Sequence, residues 1–231
     1  VDMTGVLEES LNTGMIHVMR LLGGPLMTSY IEDFGFGTIS GIELNTESSG
    51  TLASLYKDSE IYYATASYGQ GITVTPVQIA MAYAAMANEG ELMKPYIVEE
   101  LRHDDGTVEI TRPISVTQVI SKKTATTIGA MMVSVIENGH ASAAAVDGYY
   151  IAGKTGTAQV AKQGSIGYQE GVTKATFAGF GPIEDPEFAM VVLIDHPRTA
   201  PWAADTAAPV FGEIAEFLMQ YLEVAPRRAV E

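Results

Sequence analysis

In the second half of this 231-residue sequence, Ile151-Ala152-Gly153-Lys154-Thr155-Gly156-Thr157-Ala158-Gln159 sets an ammonium, two hydroxyls and a bare glycine side by side. A lysine flanked by threonines, next to a glycine that leaves the backbone open to a ligand, makes a binding edge for a carboxylate. The tripeptide Lys-Thr-Gly alone is a weak signal, expected by composition in about one chain in twenty of this length. Other reactive side chains form no comparable group. His17, His103, His140 and His196 are scattered without ligand spacing, so no metal site is expected. Asp195-His196 would need a serine to make a charge-relay triad, and neighbours on one strand point to opposite faces, which argues against it. Trp202 reads as a packing anchor, and Met131 and Met132 read as core.

The segment holding Lys154 reads as a strand. Three stretches, 149–160, 173–180 and 188–194, are strand-like and separated by glycine, proline and acidic residues; connections this short favour antiparallel neighbours. Ahead of them a helix is expected from an N-cap at Thr4 to Gly23-Gly24, with Ser10 and Asn12 within or beside it. Residues 34–54 are too dense in glycine, serine and acidic residues for a regular element and read as a long covering loop. Thr75-Pro76 opens a second helix, apolar on nearly every face from Ile79 to Met86, which implies burial between layers. Asp104-Asp105-Gly106 signals a hairpin. A third helix carries Ile128, Met131, Met132, Val135 and Ile136 at helical spacing and stops at Asn138-Gly139. The last helix follows Asp205, with Val210, Ile214, Phe217, Leu218, Tyr221 and Leu222 on one face. The pattern is that of an α+β domain, an antiparallel sheet flanked by helices, over residues 1–222, followed by a polar tail at 223–231.

Composition bounds the partners. With 28 acidic residues against 13 basic ones the net charge is -15, which argues against nucleic acid or an anionic membrane surface. Cysteine is absent, so disulfides and thiolate metal sites are excluded. No apolar run approaches the roughly 20 residues that span a bilayer, so any anchor or export signal is expected outside this chain.

Ser10-Leu11-Asn12, taken together with Lys154-Thr155-Gly156, resembles two of the three motifs of serine penicillin-recognising enzymes. The resemblance widens through Glu8-Glu9-Ser10-Leu11-Asn12-Thr13-Gly14, Phe34-Gly35-Phe36-Gly37, the run from Tyr68 to Gln78, Ala84 to Gly90, and Thr176-Phe177-Ala178-Gly179-Phe180-Gly181-Pro182. In order and extent these blocks are similar to class B penicillin-binding proteins, the monofunctional transpeptidases of cell division and elongation. The resemblance implies a penicillin-binding-protein/β-lactamase-like fold and a cleft between Ser10-Leu11-Asn12 and the Lys154 strand. Ser10 would relay a proton to the departing D-alanine amine, and Asn12 would hold the substrate amide. Lys154 and Thr155 would bind the terminal carboxylate, Gly156 would permit its close approach, and the Thr157 N–H would form half of an oxyanion hole. The implied reaction is acyl transfer from a D-Ala-D-Ala stem peptide to an amine, with β-lactams as mimics and no cofactor. It also implies a place outside the cytoplasmic membrane, a membrane anchor and a glycan-polymerising partner.

The family's first motif, Ser-x-x-Lys, should stand several tens of residues before Ser10. A formal match at Ser54-Leu55-Tyr56-Lys57 falls after it, in the covering loop. The expectation is therefore a domain lacking its N-terminal segment and inactive alone. A D,D-carboxypeptidase or β-lactamase, and a non-catalytic remnant that binds wall peptide or partner proteins, are the alternatives.

Overall fold

Asp2, not Thr4, starts the first helix: its carboxylate accepts from the Gly5 N–H at 2.9 Å. The computed structural model describes residues 1–162, 164 and 167–228. The expected long first helix is two, α1 (Met3–Glu8) and α2 (Asn12–Leu22), parted at residues 9–11. There the Ser10 N–H donates to the Leu7 carbonyl and the Leu11 N–H to the Val6 carbonyl, the crossed pair of a Schellman ending. Ser10 takes the left-handed position at φ 52°, where glycine is usual. Two further helices were not read from the sequence, α3 (Gly24–Asp33) and α4 (Glu60–Ser67).

The second expected helix is α5 (Pro76–Ala87), opened by a capping box between Thr75 and Gln78. Only Gln78, Ala82 and Ala85 are buried on it, so its apolar flanks are covered less than their composition implied. Short β1 (Glu91–Met93) follows, then β2 (Glu100–Arg102) and β3 (Val108–Ile110), paired as the expected hairpin, and β4 (Ser115–Gln118), which returns to pair with β1. The third expected helix is α6 (Lys122–Glu137), with Met132, Val135 and Ile136 buried. The main sheet has the order β5 (Ala152–Ala161), β6 (Tyr168–Gly181), β7 (Phe188–Asp195), antiparallel throughout as expected.

The closing helix α7 (Ala207–Tyr221) corrects the sequence reading of its face. Its buried stripe is Ala207, Ala208, Phe211, Gly212, Ala215 and Met219, whereas Phe217 and Tyr221 stack on each other at the exposed side. Small residues win because they let the helix approach closely. A β-carbon on Gly212 would stand 2.8 Å from the Ala143 carbonyl. Phe211 then reaches Phe177 on the sheet, ring centroids 4.6 Å apart, in the main core with Ala175, Ile136 and Ile151. Met132, Ala152 and Phe180 join the other sheet face to α5 and α6, and a separate cluster of Met19, Met27, Leu52, Leu55, Tyr63 and Ala66 unites α2, α3 and α4 with the loop. Trp202 is 62% exposed and corrects its reading as a packing anchor; its neighbour Ala203 is the buried residue.

Residues 223–228, expected as part of a polar tail, lie along the domain. The Tyr149 hydroxyl donates to the Val224 carbonyl at 2.6 Å, and Arg228 makes a two-pronged bond to Glu137 at 2.8 Å. The rest of that tail, 229–231, lies outside the described residues.

Candidate active site

Directly opposed residues of an antiparallel pair share a face. Thr155 lies opposite Phe177 and Thr157 opposite Ala175, so both look toward α7, while Lys154, opposite Ala178, looks the other way. That second side is where α6 packs on β5 and α1 packs on α6. The stacking carries the end of α1 to the Lys154 side chain, whose Nζ donates to Ser10 Oγ at 3.0 Å. The same ammonium reaches the Thr155 carbonyl at 3.3 Å and Thr155 Oγ1 at 3.2 Å. Its surroundings are desolvated, and burial lowers the Lys154 pKa from the ordinary lysine value.

The other predicted residues divide. Asn12, the first residue of α2, is exposed, and among the described residues its carboxamide has no hydrogen-bond partner. Thr157 is anchored: its Oγ1 accepts from the Ala203 N–H at 3.1 Å, tying the strand to the turn before α7. Gly156 is exposed, and a β-carbon there would meet nothing nearer than Thr176 at 3.9 Å. Gly153, three residues earlier, has no such room, with Phe177 at 2.6 Å. The fold thus demands glycine at 153 but not at 156, where the free space opens outward beside Lys154. An ammonium, a hydroxyl and an unobstructed strand edge can together receive a carboxylate and move a proton.

Ser54 stands elsewhere in the chain's business. Its hydroxyl donates to the Gly71 carbonyl at 2.7 Å, and the Lys57 ammonium sits 5.1 Å from the centre of the Tyr62 ring. Asp195 and His196, expected on opposite faces, touch at 2.6 Å because His196 turns to φ 56° at the strand end. Lys174 at 3.6 Å, not a serine, completes that pair. Among the described residues no group of three or more His, Asp or Glu gathers to hold a metal ion, and no helix is long and apolar enough to cross a membrane. An open cavity of about 340 Å³ between α3 and α4, lined by Glu32, Tyr56, Asp58 and Tyr63, contains none of the predicted residues. Sequence reasoning missed the anchoring of Thr157 and the Schellman turn at Ser10, neither of which has a glycine or proline to announce it.

Comparison with known proteins gives consistent matches. The family described as the penicillin binding protein transpeptidase domain matches residues 1–216. Stage V sporulation protein D of Bacillus subtilis is 38% identical over 226 residues, covering 96% of this chain and 35% of that protein. Peptidoglycan D,D-transpeptidase FtsI of Escherichia coli is 31% identical over 98% of this chain and 37% of its own length. The crystal structure of penicillin binding protein 3 from Mycobacterium tuberculosis complexed with aztreonam superposes with a TM-score of 0.90 at 32% identity, over 99% of this chain and 53% of that one. The chain thus spans about a third of the length of these curated relatives.

Proposed function

Because this chain belongs to the penicillin-binding protein transpeptidase family, of the class B kind, we propose that it supplies the proton-relay and carboxylate-binding half of a serine D,D-transpeptidase that cross-links peptidoglycan stem peptides. The observation that carries this reading is the 3.0 Å contact between Lys154 Nζ and Ser10 Oγ. The ammonium holds the terminal carboxylate of a D-Ala-D-Ala peptide with Thr155, and Gly156 leaves room for it. After a serine attacks the peptide carbonyl, Ser10 gives its proton to the departing D-alanine amine and is reprotonated from Lys154, whose burial makes it a readier donor. The exposed Asn12 carboxamide takes the substrate amide, and the Thr157 N–H serves the oxyanion.

The attacking serine and its lysine come from a Ser-x-x-Lys element outside these residues, since Ser54 and Lys57 are engaged with Gly71 and Tyr62. The whole protein works outside the cytoplasmic membrane, anchored there and paired with a glycan-polymerising enzyme. The test has two arms. Intact-mass measurement after incubation with a fluorescent penicillin should give no adduct on this chain; an adduct mapping to Ser54 or Ser10 overturns the assignment. Titration with an acyl-D-Ala-D-Ala peptide should shift the Gly156 and Thr157 amide signals. Gly156→Ala should abolish that response while changing stability by less than about 0.5 kcal/mol, and an undiminished response refutes the carboxylate site.

A further inference from the structure

Ser10 sits in a conformation that L-residues occupy at a cost of about 1–2 kcal/mol, at the end of a six-residue helix. A helix so short does not hold its own terminus. The C-terminal end of α6 meets it instead. Ser134 Oγ donates to the carboxylate of Glu8, two residues before Ser10, and itself accepts from Asn138 Nδ2 at 2.9 Å. Glu8 and Ser134 are both half-buried, where a bond to a charged acceptor is strengthened and each bond in a chain polarises the next. The backbones close the same joint: a β-carbon on Gly139 would stand 2.9 Å from the Glu8 carbonyl oxygen and 3.1 Å from its α-carbon. Beyond it, His140 approaches the Glu9 carboxylate at 3.3 Å.

We propose that the end of α6 is a saddle that positions Ser10, with Glu8 and Ser134 as its positioning residues. The Asn138–Ser134–Glu8 chain fixes the terminus of α1 so that the left-handed Ser10 presents its hydroxyl to Lys154. Neither residue touches substrate; they act through Ser10. The functional meaning rests on the acyl-transfer reading above, but the geometry does not.

The experiment therefore uses readouts that need no substrate. In the 231-residue chain carrying ¹⁵N and lysine ¹³Cε labels, Ser134→Ala should speed hydrogen exchange at the Ser10 and Leu11 amides by about tenfold, measured against the sheet amides of Ala178 and Phe180. The Lys154 ¹³Cε signal, assigned with Lys154→Arg, should move, and Ser134→Thr should restore both readouts. A merely structural serine would speed all four amides alike and leave Lys154 unmoved, and either result overturns the proposal. Glu8→Gln keeps the side chain's size and removes its charge. It should act in the same direction to a smaller extent and decides the matter if Ser134→Ala does not fold; unchanged Ser10 and Lys154 signals in it also overturn the proposal.

Discussion

Replacing Gln78 with methionine keeps most of the volume of a fully buried side chain and removes three hydrogen bonds at once. Its Nε2 donates to the Thr38 carbonyl at 2.7 Å and to the Ser49 carbonyl at 2.9 Å, and its Oε1 accepts from the Thr75 N–H at 2.9 Å. One amide thus pins both ends of the covering loop to the start of α5. At a net worth of about 1 kcal/mol per bond the loss is about 3 kcal/mol. It is not larger, because Thr38 is exposed and Ser49 and Thr75 are half-buried, so water can reach the abandoned groups. The denaturant midpoint should fall with an unchanged slope. Exchange at the Thr51 and Thr73 amides, which bond to each other's carbonyls at 2.9 and 3.0 Å, should quicken more than exchange in the main sheet. A loss below about 1 kcal/mol would refute the reasoning, since it would mean that water replaces the amide without net cost.

Phe211→Ala, which empties a ring with no exposed surface from the main core, should cost about 3–5 kcal/mol in chemical denaturation. Gly90→Ala should cost more than about 1 kcal/mol in the same assay, because Gly90 has φ 91° and an added β-carbon would stand 2.1 Å from the Ile120 carbonyl. Lys154 bears on pH. Its pKa is lowered on folding by burial, so the folded state resists the charged form. The resulting destabilisation is fully present below the folded pKa and is relieved as pH rises from there toward the unfolded value of 10.5, the window in which only the unfolded chain holds the proton. Lys154→Met should therefore raise the thermal midpoint at neutral pH, by a margin that shrinks through that alkaline window; a margin that grows with pH would contradict the sign.

The main sheet was legible because its three strands alternate with clear breakers, and α5 and α6 because proline, capping and apolar spacing mark them. The break at Ser10 was not legible: a serine, not a glycine, occupies the left-handed position, and the bond that holds nearby Glu8 comes from Ser134 on α6, more than a hundred residues away. In α7 two stripes at helical spacing compete, and the larger side chains suggested the wrong one; only the close approach of Gly212 to Ala143 decides for the smaller. Helix α4, Glu60–Ser67, contains two tyrosines and a threonine, which carry no helical signal of their own; burial of Tyr63 and Ala66 holds it. Lys154 stood out by residue type, and Ser10 by its likeness to a family motif. Their meeting at 3.0 Å depends on two packing layers that local spacing does not encode.

The pairing of Ser10 with Lys154 bridges 144 residues. The β5-β6-β7 meander and the α2–α4 cluster each close over shorter stretches of chain, so each can assemble at less entropic expense before the two meet. By loop-closure entropy alone, the ammonium–hydroxyl contact closes the longest of these stretches and is the costliest of them to form early. A probe at that pair would report that the two ends of this long closure have met.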